Sequence, residues 1–148
     1  MNKLNFLKVA VLGIFAFSFE ANAQETVITQ NELPEVAQAF ITDHFPGQKI
    51  SRAIKDVEYR IKTEYEVYLD NNVKVEFDGK GNWKDVDGNN AAIPTKFIPE
   101  KILHYVAQNF PTQHITQIEK SSSKFEVALL NGPDLEFNAK GSFLRIDD

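Results

Sequence analysis

The sequence predicts an α+β protein built as a tandem repeat, each copy a helix followed by a four-stranded antiparallel meander. Three observations predict it. Val73-Lys74-Val75-Glu76-Phe77-Asp78-Gly79-Lys80-Gly81-Asn82-Trp83 is nearly rewritten as Leu135-Glu136-Phe137-Asn138-Ala139-Lys140-Gly141-Ser142-Phe143. Each copy alternates apolar and polar residues, reaches a Gly-bearing turn and leaves through an aromatic, which is a β-hairpin pattern. Ile98 to Pro111 matches Leu33 to Pro46 at a shift of 65, with Pro at the start and Phe-Pro at the end recurring, and Ile115 matches Ile50. Phe125-Glu126-Val127 then matches Tyr65-Glu66-Val67 at a shift of 60, and Phe137, Gly141, Phe143 and Ile146 match Phe77, Gly81, Trp83 and Val86. Self-similarity on this scale marks a duplicated unit. The first copy holds five extra residues between Ile50 and Tyr65, which a longer loop would absorb cheaply.

Residues 1–23 read as a signal peptide to be removed. Lys3 and Lys8 precede the eleven-residue, mostly apolar stretch Val9 to Phe19, and Ala21-Asn22-Ala23 supplies the small-x-small cleavage pattern. That stretch is too short to span a bilayer. With no cysteine in the chain, a lipid anchor, disulfides and thiolate metal sites are excluded, so a hydrophobic core must hold the fold. Without the leader, 14 basic and 20 acidic side chains remain (16 − 2 and 21 − 1), a net charge of about −6. An acidic chain with no basic run is a poor ligand for nucleic acid or an anionic membrane.

Residues 24–32 are polar and read as a loose lead-in. Repeat 1, residues 33–88, opens with Leu33, Val36, Ala37, Phe40 and Ile41 on one helical stripe. Pro34 suits the first turn, Glu35 favours the helix N-terminus, and Pro46-Gly47 ends the helix. Ile50 to Tyr59 reads as a strand. Tyr65, Val67 and Leu69 alternate with Glu64, Glu66 and Tyr68, Asp70-Asn71-Asn72 is turn chemistry, and Val73, Val75 and Phe77 fall in the same phase. Trp83 to Val86 is the last strand. Asp87 to Ala92 is polar without apolar pattern, residues 89–97 read as the connector between the units, and residues 98–148 as repeat 2. Phe40, Ile41, Phe45, Val67, Leu69, Val75, Phe77, Val106, Phe110, Val127, Leu129 and Phe137 are the expected core.

The unit, carried by Leu33-Pro34, Phe45-Pro46, Tyr65-Glu66-Val67, Val75-Glu76-Phe77-Asp78 and Gly81-Asn82-Trp83, resembles the PepSY-like, beta-lactamase-inhibitor-like secreted proteins common in Bacteroidetes. The resemblance covers residues 33–148; in the second copy Ala139 replaces a turn Gly and Phe143 replaces the Trp. It implies two helix-plus-four-strand units whose sheets join into one curved sheet, like that of beta-lactamase inhibitory protein. No inhibitor contact residue aligns onto this chain.

Chemistry is hard to find in the residues. His44, His104 and His114 lack i, i+3 or i+4 spacing and occupy unrelated places in the two copies, so no metal site is expected. Asp85-Val86-Asp87-Gly88-Asn89-Asn90 crowds oxygen ligands but lacks the acidic twelfth position and flanking helices of an EF-hand, and reads as an exposed inter-repeat loop. Asp78-Gly79-Lys80-Gly81 is a hairpin turn rather than a phosphate loop. Glu66, Glu76, Glu126 and Glu136 lie in the polar phase of half-buried strands, where charges face water, rather than across a cleft as glycosidase carboxylates do. No catalytic residue, cofactor or metal is expected. The remaining candidate is the sheet face opposite the helices: Glu66, Tyr68, Lys74 and Glu76 in repeat 1, and Glu126, Ala128, Glu136 and Asn138 in repeat 2. The expectation is an exported, periplasmic or secreted, non-enzymatic module engaging a protein or peptide there. The alternatives are a small-ligand or envelope-stress binding protein with a pocket at the repeat junction lined by Trp83 and Phe143, and a hydrolase.

Overall fold

The structure, a computed structural model, describes residues 23 to 147. The expected leader over residues 1–23 lies outside them, save the backbone of Ala23. The strands are β1 (Ala23–Ile28), β2 (Ile50–Glu58), β3 (Lys62–Leu69), β4 (Lys74–Asp78), β5 (Trp83–Asp87), β6 (Ile115–Lys120), β7 (Lys124–Leu129), β8 (Asp134–Asn138) and β9 (Phe143–Asp147); helix α1 (Glu35–His44) precedes β2 and α2 (Glu100–Asn109) precedes β6. All nine form one antiparallel sheet in sequence order. The architecture is α+β, mostly antiparallel sheet with two helices on one face.

Both helices start and stop by the same devices. Pro34 and Pro99 are the N-caps, in extended conformation, and Phe45 N–H and Phe110 N–H close the last turns onto Ile41 O and Val106 O. Leu33, Ala37, Ile41 and Phe45 are buried, an i, i+4 stripe, and Ile98, Ile102 and Val106 repeat its first three positions 65 residues on. Val36, expected on the stripe, is 54 % exposed. One residue of helix is a rotation of about 100°, and the stripe set by Leu33, Ala37 and Ile41 leaves Val36 beside it.

The expected strand phase is observed. Tyr65, Val67, Leu69, Val75 and Phe77 are buried under α1, and Phe125, Val127, Leu129, Leu135 and Phe137 are buried at the corresponding places. The irregularities recur too, with a register shift at Ile50/Arg52 and at Ile115/Gln117, and another at Glu76/Phe77 and at Glu136/Phe137. Every expected core residue is buried except Phe40 and Phe110, which are half-buried against it.

Gly81 and Gly141 show why the hairpin turns carry glycine. Both have positive φ, +86° and +77°, a conformation open to Gly without steric penalty. Each turn also abuts the start of a helix: a Cβ on Gly81 would lie 2.8 Å from Pro34 Cβ and 3.0 Å from Ala37 N, and one on Gly141 3.3 Å from Lys101 Cβ. The turn is held by Asp78 Oδ1, which accepts from Lys80 N–H and Asn82 N–H, and in repeat 2 by Asn138 Oδ1, which accepts from Lys140 N–H and Ser142 N–H.

Two expectations are corrected, and the connector gains a role. The lead-in 24–32 is not loose: most of it forms β1, paired with β2 from Ala23–Glu58 to Ile28–Ala53, then a short 3-10 turn closed by Glu32, whose Oε2 accepts from Thr29 N–H at 2.8 Å. A polar strand pairs there because its backbone groups find partners on an otherwise open edge. The extra residues of repeat 1 are not a loop either. They lengthen the β2–β3 hairpin to strands of nine and eight residues, against six and six for β6–β7, and β1 pairs with the lengthened β2. Past its polar start, the connector 89–97 carries Ile93 and Phe97 onto the core. Ile93 is buried and donates its N–H to Ile115 O at 3.0 Å, and Phe97 stands 5.1 Å from Phe40, 5.2 Å from His44 and 5.2 Å from Trp83. Two large apolar side chains in nine residues show no period, yet Ile93 ties the connector to β6 and Phe97 packs it against α1 and β5.

Candidate binding face

Cross-strand partners in an antiparallel sheet point to the same side, so the pairing register maps the face away from the helices. Glu66 stands opposite Glu76, Glu76 opposite Asp85, Asp85 opposite Glu119, Glu119 opposite Glu126, and Glu126 opposite Glu136. Six carboxylates on six successive strands thus form one row across the sheet. The row continues to Ile54 and Val27 on one side and to Arg145 on the other. A second row runs Arg52, Tyr68, Lys74, Asp87, Gln117 and Ala128.

All seven expected site residues are accounted for on this face or at its rim. Tyr68 Oη donates to Glu66 Oε2 at 2.8 Å, and Lys74 Nζ donates to Glu76 Oε1 at 2.6 Å. The hydrogen bond to Glu66 raises the Tyr68 pKa, and that to Glu76 raises the pKa of Lys74. Lys124 pairs with Glu126 and, at 3.5 Å, with Glu136, whose other oxygen lies 2.7 Å from Arg145 Nη2. Asn138 sits at the rim, its carbonyl oxygen committed to the β8–β9 turn.

Sequence reasoning missed the middle of the row. Asp85 and Glu119 meet on β5 and β6, the strands that join the two units, and neither has a cationic partner within ion-pair distance among the described residues. Asp85 is 6 % exposed and accepts one hydrogen bond from Gln117 Nε2 at 2.9 Å. Burial, against the help of Gln117 and with the Glu76 charge adding to it, pushes its pKa up to about 6. The expected exposed loop over Asp85–Asn90 is therefore in part strand, since β5 runs through Asp87; only Gly88 onward leaves the sheet. The signal was available: Asp85 and Asp87 fall in the polar phase of β5, as Gln117 and Glu119 do in β6.

The face is broad rather than hollow. One depression, lined by Gln117, Glu119, Glu126, Ala128, Asp134 and Asp147 among others, holds about 120 Å³, and a wider one beside it, lined by Tyr68, Lys74 and Asp87 among others, holds about 370 Å³ and opens broadly to solvent. Trp83 and Phe143, the expected lining of a junction pocket, lie on the helix side in separate clusters. Trp83 packs against Phe97 and Phe125 under the Lys120 ammonium, 4.3 Å from its ring, and Phe143 stacks on Tyr105 at 4.2 Å. Among the described residues no three His, Asp or Glu side chains converge in metal-ligand geometry.

Comparison with known proteins agrees with this architecture. A family described as "Putative beta-lactamase-inhibitor-like, PepSY-like" matches twice, over residues 19–74 and 63–145. No curated protein sequence matches. The fold is similar to that of a putative calcium-regulated periplasmic protein from Bacteroides thetaiotaomicron, with 35% identity and TM-score 0.80 over 84% of this chain and 97% of that one. It is equally similar, at TM-score 0.80, to two proteins from Bacteroides vulgatus ATCC 8482. One is a putative periplasmic protein of a domain-of-unknown-function family, 34% identical over 84% of this chain and 98% of that one; the other is a putative periplasmic protein of unknown function, 30% identical over 84% and 100%. With two matches of one profile laid along a continuous sheet, and relatives above 30% identity nearly end to end, the chain belongs to the PepSY-like, beta-lactamase-inhibitor-like family.

Proposed function

We propose that the chain is an exported, periplasmic, non-enzymatic binding module, two copies of one α-β-β-β-β unit, whose open sheet face receives a cationic protein or peptide. The observation that supports this is the succession of six carboxylates from Glu66 to Glu136 on neighbouring strands. Like charges directly opposite across strands destabilise a sheet, and here five consecutive pairs carry them. Lys74, Lys124 and Arg145 relieve the two ends, while the Asp85–Glu119 pair in the middle is left for a Lys or Arg brought from outside. A row of carboxylates spread over six strands, with its depressions open to solvent, suits an extended cationic segment better than a small ligand, whose sites usually enclose most of its surface. The titratable groups lie spread along a flat row instead of converging on a reacting atom, which argues against a hydrolase.

The test is calorimetric titration with a lysine-rich peptide at low and high salt. Binding that weakens with salt and is lost in a Glu119→Gln/Glu126→Gln variant supports the reading. No binding by the wild type, or equal binding by the variant, removes it. A second reading takes the same oxygens for a divalent cation, favoured by the all-oxygen chemistry and by the calcium-regulated description of one similar protein. Calcium titration of the same two proteins separates the readings.

A further inference from the structure

The two units are not terminated alike. β5 ends the first, and its outer edge is taken by β6, with Val86 opposite Ile118 and both fully buried. β9 ends the second at the corresponding place: Phe143 stands where Trp83 stands, Ile146 where Val86 stands, and β9 joins β8 with the same register shift by which β5 joins β4. Among the described residues no strand follows β9. Ile146 is accordingly 46 % exposed where Val86 is 0 %. The first strand of the other unit lacks no neighbour, because β1 lies on β2 as β5 lies on β6.

We propose that the free edge of β9 is a self-association surface, on which β9 of a second copy pairs antiparallel about a twofold axis through Ile146. An antiparallel pair of identical strands is isologous, so every contact is made twice. With Ile146 opposite its own copy, each Arg145 falls opposite the Asp147 of the other chain, and both charge pairs are complementary. Centring the axis on Arg145 or on Asp147 would set like charges against each other, which costs stability. The outward backbone groups at Ile146 have the phase that Val86 has where β5 receives β6, so the joint reuses an arrangement already present inside the chain. It covers the exposed Ile146 and satisfies an open edge, the part of a sheet most prone to pairing.

The consequence is geometric. A twofold axis perpendicular to the sheet keeps both helix layers on one side and both open faces on the other. Two nine-stranded sheets become one, and each carboxylate row, ended by Arg145, runs on across the axis into Asp147 and Asp134 of the other copy. The contact is short, since with Ile146 on the axis only Arg145, Ile146 and Asp147 of β9 meet β9 of the other copy, so a weak dimer is expected.

Sedimentation equilibrium of the chain without its leader, from micromolar to millimolar, gives the first readout. Because the chain has no cysteine, Ile146→Cys carries a single thiol. Residues opposite one another in an antiparallel pair have Cα atoms about 4.5–5.5 Å apart, within disulfide reach. Ile146→Cys should oxidise to a covalent dimer, whereas Val27→Cys, more exposed but on the opposite edge strand, should stay monomeric. Asp147→Arg, which leaves the Arg145–Glu136 pair intact and sets Arg against Arg across the axis, should raise the dimer Kd at least about tenfold. Circular dichroism confirms folding of each variant. A wild type monomeric at millimolar concentration, or Ile146→Cys dimerising no more than Val27→Cys, overturns the proposal. Head-to-tail growth beyond the dimer, with β9 pairing to β1 of the next copy, overturns it equally.

Discussion

Asp85→Asn should make the protein more stable at neutral pH, and the gain should vanish in acid. Asp85 is buried at the centre of the sheet, with Glu76 and Glu119 opposite it on the flanking strands and one hydrogen bond from Gln117. Its pKa rises from 3.8 to about 6, chiefly through burial. A carboxyl with a raised folded pKa holds its proton more tightly folded than unfolded. Its favourable contribution is therefore complete below about pH 3.5 and is lost as pH climbs through about 6. At 1.36 kcal/mol per unit, the ceiling on that loss is about 3 kcal/mol. Asn keeps the shape and the oxygen that accepts from Gln117, cannot ionise, and offers its amide hydrogens to the neighbouring carboxylates. Urea unfolding followed by the fluorescence of Trp83, the sole tryptophan, should give variant-minus-wild-type differences near zero at pH 3 and about 2–3 kcal/mol above pH 6.5. Other titrating groups cancel in that difference. A gap independent of pH, or a variant less stable at pH 7, would show that the ionised carboxylate is accommodated and that the reasoning is wrong.

Gly81→Ala should destabilise by about 2 kcal/mol or more, because positive φ and a backbone neighbour at 3.0 Å act together. Gly141→Ala, whose nearest neighbours are side chains from 3.3 Å outward, should lose about 1 kcal/mol; thermal unfolding that ranks the two in reverse would contradict this. Phe97→Ala should cost about 2 kcal/mol and change the near-ultraviolet signal of Trp83, since the ring packs against both Phe40 and Trp83. Glu119→Lys should stabilise by roughly 0.5–1 kcal/mol by setting a cation between Asp85 and Glu126, and should abolish binding of a lysine-rich peptide.

Strand and helix phases were legible because each depends on a short period. Tyr65, Val67 and Leu69 alternate, and the alternation alone says which side faces the helices; Leu33, Ala37 and Ile41 do the same at helical spacing. β1 was not legible, since Gln24-Glu25-Thr26 looks like solvent-exposed chain until β2 presents an edge for it to pair with. Phe97 and Ile93 were not legible either: isolated apolar residues in a connector declare themselves only once two packed units leave a gap of their size. Of the candidate face, Glu66, Glu76, Glu126 and Glu136 were found through their recurrence in both copies. Asp85 and Glu119 were missed because their counterparts are Arg145 and Ile54, so duplication gives no hint of them.

Taken alone, the sequence determined the units: their helix caps, hairpin turns, apolar sides and order, each a matter of residues a few positions apart. The tertiary structure alone decided how the units meet. Pairing β5 with β6 brings two acids from distant parts of the chain opposite each other, buries one of them and joins two short acidic runs into a single row. Register across that joint rests on contacts thirty or more residues apart, and no local period carries such information.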